Sequence, residues 1–407
     1  MAPRLSRRML LNLGTLGAAA LTTAACSATA ATPSLTARPK PTPTPTMTPS
    51  PKRPASRASY GPNGTHFPAD VPWPGDTAAT DLVAECDWVD ISRKVQGLTA
   101  SQVAAGVIIR VKPGTLPGAG AKSSSRAALS GVGQAVWTRN VLIVPRDGFG
   151  SVTISSTGIR FDQCARLSFF GFVSAGGFAL TRCVSLQLGW SRFEYANITR
   201  GGRDLALYEL VLGFRQNEED TVGVRPTETF EMTNISRYGC VFGPSVKPAG
   251  SGAHCDTVQL EGTGTGSFGP FTSVDCIDYG SSNAVAVIHD RVVRAEYHHC
   301  LLLGEQLPWR VYPLRSGDYQ GNPNAFAGGC RDVRLYDSVV AGPIGRLGYT
   351  EVHNTSLSYS PAANQQPRVS GAWTVDTGIS GWTREQIMGL QEIPDYEIPT
   401  LRSLWRW

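Results

Sequence analysis

The segment best suited to chemistry places a histidine two residues before an aspartate, between a glycine-rich loop and an apolar run. His254 and Asp256 point to the same side of an extended chain, because successive side chains alternate. A carboxylate beside an imidazole fixes its tautomer and raises its pKa, which suits acid–base work. We therefore predict that His254 and Asp256 are catalytic residues at a loop-to-strand corner.

Polar residues continue along the strand that follows this pair. Val258 and Leu260 are expected to point into a core, since they alternate with polar neighbours. Gln259 and Glu261 then lie on the outer surface, where we predict that they contact substrate. The change of side between Asp256 and Val258 would require a bend near position 257.

A second acid–base candidate follows another apolar strand. Ala284–Ile288 leads directly into His289 and Asp290, which we predict to be catalytic, and then into Arg291, predicted to bind substrate. Aspartates at such corners often only bond the backbone of the turn, and this interpretation stays open for each candidate.

The next stretch of chain offers groups that suit a sugar. If Trp309–Tyr312 stacks beside the two strands above, Arg310 can neutralise a uronate and Tyr312 can lie on a sugar ring. We therefore predict that both residues contact substrate rather than catalyse.

A repeat shows which elements would position these residues. Leu167, Leu186 and Leu205 fall 19 residues apart in segments that align without gaps. A fixed period with alternating apolar residues predicts short strands stacked on themselves around a continuous core. The aligned segments are Phe161–Phe169, Leu180–Leu188 and Thr199–Leu207.

Looser copies continue to about residue 357, each followed by a glycine or a turn and another apolar strand. Residues 100–360 resemble the right-handed parallel β-helix of the pectate-lyase-like superfamily. The resemblance implies an all-β solenoid, which we place at 107–360. A β-sandwich is the structural alternative, but it would not show gapless copies in one register. The run from His254 to Gln259 also resembles a His-x-Asp-x-x-Gln segment of polysaccharide-active β-helix proteins.

Both ends of the solenoid have flanking segments. Thr99–Gln102 is a capping box that predicts a short helix over the first coil, within an N-terminal extension at 58–106. Thr383–Gln386 is a second capping box, within a tryptophan-rich C-terminal extension at 361–407 that we expect to pack on the solenoid.

The N-terminus predicts export. Arg7 and Arg8 precede a short apolar stretch, which resembles a twin-arginine signal, and Ala24–Cys26 resembles a bacterial lipobox. The resemblance implies that residues 1–26 are a signal peptide with a lipobox-like end, in which Cys26 becomes the lipidated first residue. Residues 27–57 are rich in Pro and Thr and would form an extended tether. We expect a lipid-anchored surface protein; release to the extracellular medium is the alternative.

Charge and cysteines constrain the partners. Eight basic residues and no acidic ones lie in residues 1–57, so the rest of the chain carries 29 basic and 32 acidic residues. A slightly acidic domain is poorly suited to bind nucleic acid, because such binding depends on basic residues that neutralise phosphates. We also expect the protein to be a monomer. Cys164 and Cys183 occupy equivalent repeat positions, which permits either a disulfide or a buried ladder of free thiols.

The signatures of familiar enzymes are mostly absent from the sequence. It lacks the Asp-Asp pair of polygalacturonases and the Trp-x-Asp-His segment of classical pectate lyases. We predict a protein that acts on a polysaccharide, either as a lyase or as a glycoside hydrolase. A uronate-containing glycan is one of the substrates that this prediction allows. Carboxylates could hold Ca²⁺ in such an enzyme. The alternative is a non-catalytic glycan-binding or cell-envelope module.

Overall fold

A computed structural model describes residues 66–227, 231–262 and 265–389. In these ranges the chain winds into coils of short strands that pair in parallel with the coils before and after them. The strands of successive coils form three ladders, which we call the first, second and third faces, and a few coils join a face only through an isolated bridge. The predicted all-β parallel β-helix is confirmed.

The first face carries the strands on which most of the predicted site residues lie. It contains Leu129–Ser130, Ile159–Asp162, the first parts of Phe178–Val184 and Ala196–Tyr208, then Val222–Arg225, Asp256–Leu260, Ala284–Ile288 and Asn324–Gly328.

The second face is the longest ladder, and it shares two bent strands with the first. It contains Thr80–Ala84, Val107–Val111, Val141–Pro145, Leu167–Phe170, Gln187–Gly189, the ends of Phe178–Val184 and Ala196–Tyr208, then Met232–Tyr238, Phe271–Val274, Ala295–His298, Val333–Tyr336, Glu351–His353 and Val369–Ser370.

The third face closes each coil. It contains Gly114–Leu116, Val152–Ile154, Val173–Ser174, Val211–Leu212, Val241–Phe242, Ile277–Tyr279, Leu301–Leu303, Val339–Ala341, Thr355–Leu357 and Trp373–Val375, and Arg215–Gln216 pairs with Ser245–Val246 beside it. The parallel ladders thus begin at Thr80 and end at Val375, so they extend beyond the expected 107–360.

The register inferred from the repeat is confirmed. Leu188 pairs with Phe169 in the preceding coil and with Leu207 in the following one. Leu186 is fully buried, as are its counterparts one coil away on each side. The apolar side chains at this position are buried only when the coils stack, so the 19-residue period sets the register between neighbouring coils.

Helices cover the ends and the side of the solenoid. Trp88–Gln96 (α1) and Ala100–Ala105 (α2) pack on the first coils, and the predicted capping box at α2 is formed. Leu307–Val311 (α3) and Arg384–Gly389 (α4) lie along the side. Short 3-10 helices occur at Ala363–Gln365 and Thr377–Gly381. No helix in the described ranges is long and apolar enough to span a membrane.

Residues 66–79, which we call the strap, precede the first strand. The start of the strap lies on the corner between the second and third faces. His66 occupies the space left by Gly239, where an added Cβ would lie 2.5 Å from His66 Nδ1. Its Nδ1 lies 2.9 Å from Glu209 Oε1, and its Nε2 lies 2.7 Å from Asp275 Oδ2. Those carboxylates occupy the same corner in the coils before and after Gly239, so His66 clips three coils together.

The cysteines form ladders rather than bridges. All eight cysteines in the described ranges are free, and seven of them are buried. Cys164 and Cys183 stack in adjacent coils, as do Cys240, Cys276 and Cys300. The ladder of free thiols is therefore the alternative that the structure adopts. Cys26, Trp405 and Trp407 lie outside the described residues.

Candidate functional site

Three consecutive strands of the first face begin with polar side chains that bond across coils. Asp220 Oδ1 accepts a hydrogen bond from the backbone N–H of Asp256 at 2.8 Å. Asp256 Oδ1 accepts one from Asn283 Nδ2 at 2.7 Å. These residues, with Arg225, Gln259 and Glu261, form what we call the first-face cluster.

A local repeat explains why the two aspartates align. Asp220–Val222 and Asp256–Val258 are both Asp-Thr-Val, and the two valines pair directly between coils. Thr221 and Thr257 each donate a hydrogen bond to a backbone carbonyl at the end of the third-face strand in their own coil, at 3.0 and 2.5 Å. The two Asp-Thr-Val triplets therefore adopt the same local structure. This places the carboxylate of Asp220 against the backbone of Asp256 in the next coil.

Arg225 lies back across its own strand. It covers Gly223, where an added Cβ would overlap its guanidinium. Gly223 pairs with Asn197 on one side and Gln259 on the other. The guanidinium donates to Asp220 and Gln259 and lies 3.5 Å from Asn197 Oδ1. Its side chain is 33 % exposed, so the cluster reaches the surface of the first face.

Burial raises the pKa of both aspartates in the cluster. Burial raises the pKa of Asp256 to about 7, and the negative charges of Asp220 and Glu261 add to this effect. Burial also raises the pKa of Asp220, although the backbone N–H of Asp256 and the charge of Arg225 act in the opposite direction. Both aspartates therefore hold a proton more strongly than a solvent-exposed aspartate does.

The structure brings together four of the residues predicted from the sequence. Ala284–Ile288 pairs with Asp256–Leu260, as expected. That register places His289 beside Glu261, one residue beyond the paired strands, and both are half-buried. Asp256, Gln259, Glu261 and His289 therefore share one part of the first face.

The expected pairing of His254 with Asp256 is wrong. His254 is exposed in the preceding loop, and within the described residues it has no hydrogen bond or ion pair. Asp256 begins its strand, is 1 % exposed and has Asn283 as the side-chain partner of its carboxylate. Asp220 and Asn283 take the place that the histidine was expected to occupy.

The expected position of Arg310 and Tyr312 is also wrong. Their segment forms α3, and the strand that follows Ala284–Ile288 on the first face is Asn324–Gly328. Arg310 donates to the carbonyls of Ser380 and Trp382, which ties α3 to the C-terminal extension. The hydroxyl of Tyr312 accepts a bond from Arg315 at 3.3 Å. An insertion in this coil displaces the segment from the first face.

The remaining two candidates lie at the edge of the cluster. Asp290 is exposed in the turn that follows its strand. Arg291 donates to the carbonyl of Gly266 at 2.9 Å and so supports a loop.

The arrangement of the carboxylates does not match a calcium site. In the described ranges, no three His, Cys, Asp or Glu side chains are grouped so as to hold a metal ion. Within the cluster, Arg225 supplies the positive charge that Asp220 faces. A cation would have to displace this guanidinium, because both compete for the same carboxylate oxygens.

Sequence reasoning missed Asp220, Arg225 and Asn283. The repeated Asp-Thr-Val is the signal that could have revealed Asp220, since it marks two strand starts 36 residues apart. No sequence pattern points to Arg225 or Asn283. Their partners depend on how coils of different length stack.

Comparisons with known proteins give only distant resemblances. No family model matches the sequence, and no curated protein matches it. A solved pectate lyase, Pel9A, has 12 % identity and a TM-score of 0.38, with 74 % of this chain and 78 % of that one covered. The A-module of the Azotobacter vinelandii mannuronan C-5 epimerase AlgE4 has 10 % identity and a TM-score of 0.28, with coverage of 73 % and 97 %. The fold assignment therefore rests on the parallel ladders themselves.

Proposed function

We propose that this protein acts on a polysaccharide at the first-face cluster, with acid–base chemistry at the Asp220–Asp256 pair. The observation that carries the proposal is the buried carboxyl of Asp256, whose pKa is raised to about 7, beside a second carboxyl and a surface-exposed arginine. Strongly shifted carboxyls are typical of sites where protons are transferred.

The two carboxyls divide the work. At neutral pH Asp256 retains its proton for part of the time, because burial raises its pKa to about 7. Asp220 is the more exposed of the two, at 9 % of its side chain, so it is the carboxyl that exchanges a proton with the substrate. General acid–base transfer of this kind contributes about 10²–10⁴-fold to a rate. The reaction is hydrolysis or β-elimination of a glycosidic bond.

The outer groups of the cluster, together with the neighbouring His289, bind the sugar chain. Gln259, Glu261 and His289 are half-buried, and they offer both donors and acceptors for hydroxyl groups. The parallel strands hold them at fixed spacing along the solenoid, which suits a linear polymer lying across several coils.

Glycan binding without catalysis is the second candidate. It is favoured by the burial of Asp256, which is 1 % exposed and cannot itself touch a bound sugar. In that case the two aspartates only join neighbouring coils and hold Arg225 in place.

The deciding experiment incubates the purified full chain with neutral, amino-sugar and uronate polysaccharides. New reducing ends report cleavage, and ultraviolet absorbance from unsaturated products separates a lyase from a hydrolase. We expect Asp256→Asn and Asp220→Asn to lower turnover at least about 100-fold. Asp147→Asn is the matched control, since Asp147 is an exposed acid paired with Arg146 in an early coil.

Each result has a defined meaning. Turnover that survives both substitutions would remove the aspartates from the chemistry. A glycan that is bound but never cleaved would establish the binding module. No binding and no cleavage across the panel would overturn the proposal.

We also infer that the protein is exported and anchored through Cys26, as its N-terminal sequence suggests. Cys26→Ser should release the protein from the membrane fraction, and mass spectrometry of the native N-terminus should show the lipid. An unmodified, soluble native protein would contradict the anchor.

A further inference from the structure

We propose that the first-face cluster selects glycans by charge, with amino-sugar chains bound most tightly, neutral chains less tightly and polyuronates least. The inference rests on the proposed function, because it names the substrate class of the same site. It reverses the uronate preference that the predicted role of Arg310 implied.

The cluster holds more negative than positive groups. Asp220, Asp256 and Glu261 act on one another through their charges, and Arg225 is the cation among them. Even with Asp256 protonated for part of the time, two carboxylates face one guanidinium. A ligand carboxylate placed here would meet net repulsion, whereas a ligand ammonium would be attracted.

The positive charge of Arg225 is already used. Its guanidinium donates to Asp220 and Gln259, and Gly223 beneath it provides the space in which it lies. A uronate would have to draw Arg225 away from Asp220, which would leave that partly buried carboxylate without its counter-charge. Truncating or withdrawing one partner of such a pair is costly because the other stays desolvated.

The cations around the cluster are also engaged. Arg291 donates to the carbonyl of Gly266, and Lys122 pairs with Glu219 at 3.2 Å. Arg160, further along the same face, lies 3.4 Å from Asp162 and donates to the carbonyl of Ser123. Each of these three cations therefore already has a partner within the protein.

Glu261 is the group most available to a ligand cation. It is half-buried on the outer side of the first face, beside His289, and it acts on both aspartates through its charge. An ammonium group near Glu261 would relieve the repulsion among the three carboxylates. Gln259, next to it along the strand, can bond hydroxyl groups whatever the charge of the chain.

The test measures binding of the full chain to hexamers of glucosamine, N-acetylglucosamine, glucose, galacturonate and mannuronate by calorimetry, at low and high salt. We expect the glucosamine hexamer to bind at least about tenfold more tightly than either uronate at low salt. Added salt should weaken glucosamine binding, strengthen uronate binding and leave the neutral hexamers almost unchanged.

Variants connect the selectivity to the cluster. Glu261→Gln should reduce the preference for glucosamine over the neutral hexamers roughly tenfold, measured as the ratio of the two affinities on the same variant. Glu351→Gln is the matched control, since Glu351 lies on the second face beside His353. A preference that persists in Glu261→Gln would show that it arises elsewhere.

The outcomes separate this inference from the function on which it rests. Tightest binding of a uronate hexamer would overturn the charge selectivity and leave action on polysaccharide intact. Equal affinities for all charge classes would also overturn it. Absence of binding to every hexamer, combined with no cleavage of any polymer, would overturn both.

Discussion

Asp220 and Asp256 occupy the same position in successive coils, and the carboxylate of the first accepts a 2.8 Å hydrogen bond from the backbone N–H of the second. The bond holds the two side chains close together, so the charge of Asp220 raises the pKa of Asp256. Because Asp256 is also covered by its neighbours, its proton is retained to a pH at which most carboxyls are ionised.

The raised pKa of Asp256 predicts a stability that depends on pH. Its folded-state value of about 7 exceeds its unfolded value, so folding becomes less favourable as the pH rises from about 4 to 7. Asp256→Asn removes the charge and keeps an oxygen for Asn283. We expect this variant to be more stable than the wild type at pH 8, by up to about 4 kcal/mol. Thermal unfolding between pH 4 and 9 measures the difference.

The comparison has an internal control. At pH 4 both proteins carry a neutral group at position 256, so their melting temperatures should converge. A difference of the same size at every pH would mean that the substitution acts through packing and not through charge.

His66 also makes stability fall as the pH rises, but in a higher pH range and through the loss of a stabilising charge. Burial alone would lower its pKa, but the hydrogen bonds and charges of Asp275 and Glu209 raise it to about 9. A raised histidine pKa stabilises the fold fully below the unfolded value near 6.5, and the stabilisation is lost as the pH rises through about 9. We expect His66→Gln to cost about 3 kcal/mol at pH 6 and much less at pH 10.

Chemical unfolding at the two pH values checks this prediction. His353→Gln is a suitable control, because His353 pairs with Glu351 but is 38 % exposed. An equal loss of stability for His66→Gln at pH 6 and pH 10 would show that the clip does not depend on its charge.

Gly223→Ala tests the placement of Arg225. The added Cβ would overlap the guanidinium, whereas the backbone at this position needs no left-handed conformation. Arg225 should therefore swing away, which leaves Asp220 without its counter-charge and lowers stability, and glycan affinity or turnover should fall about as far as in Arg225→Met. Melting temperature and activity are measured together. Full activity with an unchanged melting temperature would exclude Arg225 from the site.

The core contains a fully buried ion pair that should behave as a unit. Both guanidinium Nη atoms of Arg237 bond Asp278 at 2.5 Å, and neither side chain is exposed. Asp278→Ala leaves a buried charge alone and should cost about 3–5 kcal/mol. The double variant Arg237→Met with Asp278→Leu should recover much of that loss, as measured by urea unfolding. A double variant as unstable as the single one would contradict this account.

Leu186 tests the register of the repeat. It is fully buried between equivalent leucines in the adjacent coils, so Leu186→Ala should cost about 2–5 kcal/mol. Val136 is 83 % exposed and provides the control, since Val136→Ala should change little. An unchanged melting temperature for Leu186→Ala would be incompatible with the stacking described above.

The sequence alone was sufficient for the architecture. Leu167, Leu186 and Leu205 recur at a constant spacing because each coil must place an apolar side chain at the same inward position. The same alternation predicted the neighbouring strands Asp256–Leu260 and Ala284–Ile288, and with them the shared position of Glu261 and His289. These relationships are local or periodic, so they are visible in one chain.

Only the tertiary structure decided which polar groups meet. Successive coils differ in length, so Val258 pairs with residues 36 positions before it and 28 after it. The insertions in these coils remove Arg310 from the first face and bring Asp220 onto Asp256. His66 reaches Glu209 across 143 residues. Apolar periodicity constrains the inward side chains, whereas the partners of an outward or corner side chain depend on how far each loop travels before the next strand begins.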